Sequence, residues 1–346
     1  MRRVVAHPGR IAVEAADVPV PGQGEVLIRA LAAGVCGSDL HAVRGSHPFV
    51  PLPYRPGHEV VGIVSALGPA GAGPGRPAPA LAVGDRVIVE PDLPCWTCKM
   101  CLTGRENLCE NLQFFGCGYP QGGMADYFTL AANRLHLVPE ALDDHTAALI
   151  EPLSTPVHAV RLAGDVTGRS VAVLGAGTIG LFMLAVLRAH GAGSVVVTDP
   201  NPGKRSRAVA LGADAVVDAR GSDVAGEVRR VLGGSADIVF DCVAIQASLD
   251  QAIAMADKGG TVVVVGVPAA PVTVPLPIIQ DHQIRIQGSA TYLPEDYVES
   301  TALLQAGTVR MADFVTATRP IEEVSEAFEL AASGQHVKVL VTIGER

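Results

Sequence analysis

The stretch Ser170-Val171-Ala172-Val173-Leu174-Gly175-Ala176-Gly177-Thr178-Ile179-Gly180 decides the fold of this 346-residue chain. A short apolar run ends in a Gly-x-Gly-x-x-Gly turn, and a helical pattern follows through His190. In a chain with 38 glycines such a turn is weak on its own. Its place, directly after a strand and opening a helix, is what a dinucleotide-binding fold requires. Gly175 makes the tight turn, Gly177 lets backbone approach a pyrophosphate, and Gly180 lets the helix pack on the strand. The helix N-terminus, with Thr178 and Ile179, then faces the phosphates. Asp199 closes the next apolar run, at 194–199. A carboxylate there accepts hydrogen bonds from the adenosine ribose and repels a 2′-phosphate, which favours NAD over NADP. The competing reading is a plain turn with Asp199 as a helix cap. Lys204 and Arg205 stand close enough in sequence to tolerate a phosphate.

Downstream, runs at 215–217, 237–240 and 261–265 alternate with helical stretches. Continuous apolar strands in that alternation indicate a parallel sheet covered on both faces. Upstream of about residue 150 the pattern differs. Short β-branched runs at 4–5, 11–13, 25–30, 60–64 and 85–89 are bounded by Pro and Gly, as antiparallel strands are. The tail from about residue 290 is mixed and ends in a strand-like run at 337–341, able to rejoin the first domain. The fold class is therefore α/β, with a β-rich domain beside a doubly wound one, and the length suits two domains. Residues 69–80 are low in complexity and read as an exposed, mobile loop without chemistry.

Hydrophobic residues make up 49% and charged residues 18%, which is a folding rather than a disordered composition. The net charge of −9 argues against a nucleic-acid partner. No apolar run approaches the ~18–20 residues of a membrane span. The first residues lack the apolar core of a signal peptide, so a cytoplasmic protein is expected.

Seven cysteines are present, four of them (Cys95, Cys98, Cys101 and Cys109) within fifteen positions. In a reducing compartment such a cluster holds metal rather than disulfides. Four soft ligands close a tetrahedral shell around a structural Zn²⁺ in a lobe at about 94–110; four unrelated thiols or an iron–sulfur cluster are the alternatives. Cys117 and Cys242 default to buried thiols. A second constellation is Cys36-Gly37-Ser38-Asp39-Leu40-His41 followed by Gly57-His58-Glu59. It offers one sulfur, one nitrogen and one carboxylate, the incomplete shell of a catalytic zinc. Asp39 is placed to hold an imidazole N–H, and Ser38 and His41 to carry a proton. On spacing alone, a core cysteine beside a structural histidine explains these residues equally well.

Taken in order, and with Glu151-Pro152-Leu153, these motifs resemble the zinc-dependent medium-chain dehydrogenase/reductase family, in its sorbitol and threonine (polyol) dehydrogenase-like branch. The likeness spans nearly the whole chain. It implies a GroES-like catalytic domain from 1–150 and 291–346, and a Rossmann NAD-binding domain from 151–290. It implies two Zn²⁺ per chain. Cys36 and His58 become ligands of the catalytic zinc, Glu59 a ligand or near neighbour, and Glu151 a ligand directly or through water. Val243 is carried over to the cofactor, Lys338 to its pyrophosphate and Lys204 to its ribose. The implied reaction oxidises a secondary alcohol of a polyol, sugar acid or amino alcohol to the ketone, with NAD as hydride acceptor. A homo-oligomer, dimer or tetramer, is implied as well. The segment 45–56 would line the substrate cleft, and His47, Phe49, Tyr54 and Arg55 are candidate specificity residues, with surface-loop roles as the alternative. A carbonyl reductase on the same scaffold and a non-catalytic NAD-binding protein remain as other readings.

Overall fold

The strand Val171–Leu174 is buried along its whole length, because both faces of its sheet are covered. A computed structural model describes residues 1–45, 47, 50–71 and 73–345. The chain divides into two compact units, Met1–Pro152 with Leu293–Arg346, and Leu153–Tyr292.

The second unit holds a six-stranded sheet. Its order is Ala215–Val217, Val195–Thr198, Val171–Leu174, Ala236–Asp241, Ala256–Val264, Arg285–Gly288. All five pairings are parallel, and the order reverses beside Val171–Leu174, as in a doubly wound dinucleotide-binding sheet. Helix Thr178–Ala189 buries Leu181, Phe182, Leu184, Val186 and Leu187. Two features escape the apolar pattern. The strand expected at 261–265 starts five residues earlier, at Ala256, through exposed Asp257, Lys258 and Gly259, with an irregular register against Ala236–Asp241. Arg285–Gly288 is an exposed edge strand with one apolar side chain, Ile286.

The first unit is organised by Glu25–Val35, which pairs antiparallel with Val60–Leu67, Tyr127–Ala131 and Lys338–Thr342. The last of these is the tail strand, returning to the first unit as its sequence suggested. Ile28, Val60, Val64, Val87, Phe115, Phe128, Leu135, Val339 and Val341 form one apolar core. This sheet fixes the site. Cys36 follows Glu25–Val35 directly and caps helix Gly37–Val43, while His58 and Glu59 immediately precede Val60–Leu67. The Gly34 N–H donates to the Glu59 carbonyl at 2.8 Å, locking the two strand ends together.

The described residues of the loop at 69–80, all but residue 72, are mostly exposed, as expected, but the loop is anchored. Arg76 Nε donates to the Asn133 carbonyl at 2.8 Å, and Arg76 Nη2 pairs with buried Glu90. Asn133 Nδ2 in turn donates to the carbonyls of Pro74 and Arg76 at 3.0 and 3.2 Å. Composition alone could not show this, because one arginine among glycines and prolines fixes the segment through a distant carboxylate.

Candidate active site

Cys36, His58 and Glu59 each offer a donor atom, and the three atoms lie within 4.8 Å of one another. His58 and Glu59 are almost fully buried. The mixed sulfur, nitrogen and oxygen set suits a zinc ion with a position left open. Asp39 and Phe114 flank the imidazole. Its Nδ1 is buried without a hydrogen-bond partner and lies 3.9 Å from Asp39 Oδ1. Phe114 packs edge-on against the ring at 5.6 Å. Burial alone would lower the basicity of His58. The Asp39 charge and the Cys36 side chain outweigh it and raise the imidazole well above its ordinary value.

Asp39 is fully buried, and burial pushes its carboxyl upward. Its Oδ2 accepts the Cys36 N–H at 3.0 Å, and its Oδ1 accepts the Tyr54 hydroxyl at 3.0 Å. One carboxylate thus ties the Cys36 backbone to the neighbourhood of His58. Tyr54 is buried to 1% exposure. It is a support for Asp39, neither a surface residue nor an open wall of a substrate pocket.

Glu59 and Lys338 form a buried ion pair beside the donors. Lys338 Nζ donates to Glu59 Oε1 and Oε2 at 2.6 and 2.7 Å and to the Val35 carbonyl at 3.2 Å. Burial lowers the ammonium, but the Glu59 charge outweighs it, and the net shift is upward. Lys338, expected at a cofactor pyrophosphate, has its donors directed to Glu59 and Val35, because a carboxylate this deep requires a counter-charge.

Glu151 is buried in the first turn of helix Ile150–Ala163. It stands outside the compact donor group, yet its charge still raises His58 and Lys338. Ser38 and His41 lie three residues apart on helix Gly37–Val43, hence on one face, with Ser38 half-buried and His41 exposed. His47 is half-buried, and burial lowers it. Phe49 lies outside the described residues. Arg55 is half-buried and lines a small concavity with Arg3. Cys117 packs beside Tyr54 and Val50, and burial pushes its thiol up to about 12. Burial likewise raises Cys242.

The four other cysteines also meet. Cys98 Sγ lies 3.5 Å from Cys101 Sγ and 3.9 Å from Cys109 Sγ, and all four sulfurs fall within 4.8 Å of one another. The Cys95 and Asn111 N–H groups donate to Cys109 Sγ at 3.2 and 3.3 Å. The Thr97 hydroxyl and nearby backbone N–H groups pull Cys95 down to about 5, whereas burial pushes Cys101 up to about 12. Four sulfurs this crowded cannot all ionise without a cation, which is the electrostatic signature of a metal-holding lobe. Cys95, Cys98, Cys101 and Cys109 therefore fit zinc.

In the second unit Gly175 has φ +93°, and a Cβ there would lie 2.8 Å from Val243 Cγ2. A Cβ on Gly180 would collide with the Gly175 carbonyl, whereas one on Gly177 would meet open space. The three glycines thus turn, admit and pack in that order. Gly177 caps helix Thr178–Ala189 without a side chain. Asp199 Oδ2 accepts the Ala176 N–H at 2.9 Å and its Oδ1 the Asn201 N–H at 2.7 Å, which sets the carboxylate beside the turn. Lys204 is half-buried on helix Pro202–Ala210, and Arg205 is occupied by Asp218 at 3.4 Å and the Asp199 carbonyl at 2.7 Å.

Sequence reasoning missed two features. Glu90 is fully buried between Arg134, Arg76 and His136. Lone charges in strand-rich segments give no signal of pairing across 44 residues. In the second unit the Ser289 and Thr291 hydroxyls are buried without hydrogen-bond partners, and Thr291 has φ +44°. They follow Arg285–Gly288 at the carboxyl ends of the parallel strands, where such sheets bind ligands.

The alcohol dehydrogenase GroES-like domain family matches residues 22–140, and the zinc-binding dehydrogenase family matches residues 178–306. Sorbitol dehydrogenase of Bacillus subtilis is 32% identical over 99% of this chain and 97% of its own. L-galactonate-5-dehydrogenase of Escherichia coli is 31% identical over 94% of this chain and 93% of its own. A solved structure of a Sinorhizobium meliloti protein bound to NADP superposes with a TM-score of 0.90 at 30% identity, covering 99% of this chain and 98% of that one. The chain belongs to the zinc-dependent medium-chain dehydrogenase family, in its polyol branch.

Proposed function

We propose that this dehydrogenase oxidises a secondary alcohol of a polyol or sugar acid to the ketone, with NAD as hydride acceptor. The observation that carries the reading is the convergence of Cys36, His58 and Glu59 within 4.8 Å, in a chain that also holds a dinucleotide turn ending beside Asp199. Bound there, zinc supplies Lewis-acid polarisation of the substrate hydroxyl. Cys36 and His58 would hold the ion beside Glu59, and buried Glu151, whose charge is felt at His58, would serve as a further carboxylate directly or through water. Asp39 orients the imidazole and the Cys36 backbone together. Ser38 and His41, on one helix face from half-buried to exposed, carry the hydroxyl proton outward. The hydride chemistry belongs to the cofactor.

Asp199 supports NAD over NADP, because a buried carboxylate repels a 2′-phosphate. The NADP-bound relative makes this the finer part of the proposal. A homo-oligomer is supported by the unpaired edge Arg285–Gly288 and by exposed Val267, Val272, Leu276, Ile278 and Ile286 near it in sequence. Among the described residues no helix is long and apolar enough to cross a membrane. The thiol clusters suit a reducing compartment, which supports the cytoplasm.

The test is NADH formation over a panel of polyols, sugar acids, amino alcohols and simple secondary alcohols, with NAD or NADP, before and after chelation. A chelator-sensitive, NAD-linked signal with one class is expected. Silence from protein that holds both metals and binds NAD would refute alcohol oxidation and move the assignment to ketone reduction.

A further inference from the structure

Three segments of the first unit meet around Arg3 and Arg55. Arg3 lies on strand Arg2–His7, bridged antiparallel to Ala125. The Val4 N–H donates to the Met124 carbonyl at 2.8 Å, and the Met124 N–H to the Pro56 carbonyl at 3.1 Å. Gly122 closes the corner, since any side chain there would collide with the Arg55 and Pro56 carbonyls. Arg3, Arg55, Gln121, Gly122 and Tyr127 line a shallow concavity of about 30 Å³.

The charges in this corner do not balance. Both Nε atoms, of Arg3 and of Arg55, are buried without a hydrogen-bond partner. Among the described residues no carboxylate lines the concavity. The nearby acids are already committed. Asp126 accepts Arg2 Nε and Nη2 at 3.0 and 2.7 Å, and Glu14, across the strand pair from Arg3 and within reach of its charge, is hydrogen-bonded to His7 at 2.7 Å rather than to Arg3. Gln121 is engaged at both ends with Thr129, at 2.9 and 3.0 Å. A guanidinium stays charged at any physiological pH, and burying its N–H unpaired is unfavourable. Two buried, unpartnered Nε groups beside one concavity offer donors to an anion from outside, against the repulsion of a chain whose net charge is −9. A tetrahedral oxyanion presents several oxygens at once, which suits paired guanidinium forks.

We propose that Arg3 and Arg55 form a binding site for a phosphate group, presented as inorganic phosphate or as a small phosphomonoester. The group would clamp strand Arg2–His7 to the segment that leads into Gly57, His58 and Glu59.

The experiment uses the zinc-loaded protein saturated with NAD, so that the glycine turn is occupied. Thermal unfolding and calorimetric titration are run with inorganic phosphate and with glycerol 1-phosphate, against sodium chloride at matched ionic strength. A saturable rise in Tm beyond that with chloride is expected, with one site per chain. Arg3→Gln and Arg55→Gln should each weaken it by roughly 10-fold or more. Equal binding of both probes identifies the free anion as sufficient, and tighter binding of the ester identifies an esterified ligand. The proposal fails if phosphate acts no differently from chloride, or if neither variant weakens it. Should either variant misfold, Arg3→Lys and Arg55→Lys keep the charge but lose the fork, and unchanged affinity in both would equally overturn it.

Discussion

Lys338 spans both carboxylate oxygens of Glu59, at 2.6 and 2.7 Å, with both side chains almost fully buried. The pair joins the returning strand Lys338–Thr342 to the residue after His58, the proposed metal ligand. The candidate site is therefore complete only once residues 279 apart in sequence have met.

Lys338→Met should strand the Glu59 charge in the core. A loss of about 3–5 kcal/mol in stability is expected, as for other broken buried pairs. Urea unfolding with the metal content measured in parallel checks it. Unchanged stability would mean that the metal, rather than Lys338, neutralises Glu59.

Trp96, the single tryptophan, lies between Cys95 and Cys98 with Gly75 against its ring and Arg134 at 5.7 Å from the ring centroid. Its fluorescence should thus report the state of the cysteine lobe. Chelation should change the emission in step with loss of one zinc, and Cys98→Ala should hold one zinc fewer and lose soluble yield more than turnover. Emission indifferent to that zinc would uncouple the loop at 69–80 from the lobe.

Burial raises Glu90, but its hydrogen bond with His136 and the charges of Arg134, His136 and Arg76 outweigh this and bring it down to about 2, against 4.5 ordinarily. A depressed carboxylate contributes stability that is present above its unfolded value and lost as pH falls toward its folded one. The shift corresponds to about 3 kcal/mol. Glu90→Gln should therefore be less stable than the parent near neutrality, and the gap should shrink below pH 4.5. Acid release of metal affects both proteins and cancels in the difference. A gap that does not change with pH would contradict the assignment.

Asp199→Ala should raise the KM for NAD by roughly 10-fold or more, since it removes both a charged acceptor and the bond to Ala176. Asp199→Asn keeps an acceptor for Ala176 but drops the charge. It should lose less toward NAD while relaxing discrimination against NADP. Cofactor kinetics unchanged in both variants would remove Asp199 from the ribose.

Local patterns determined much of this protein. Val171–Leu174 with Gly175–Gly177–Gly180 specified a parallel sheet and its turn, because a strand buried on both faces and a close-packed glycine corner leave marks in adjacent residues. The four-cysteine lobe was legible for the same reason, since its cysteines lie within fifteen positions. The chemistry of Cys36, His58 and Glu59 could be suspected from spacing, but their meeting depends on the pairing of Glu25–Val35 with Val60–Leu67. Tertiary structure alone decided which charges are balanced. Lys338 finds Glu59, Arg76 and Arg134 find Glu90, Tyr54 finds Asp39, and Arg3 and Arg55 line a concavity that no carboxylate among the described residues lines. A single charge in a sequence carries no record of its partner, because ion pairing follows distance in space and burial sets how much it matters.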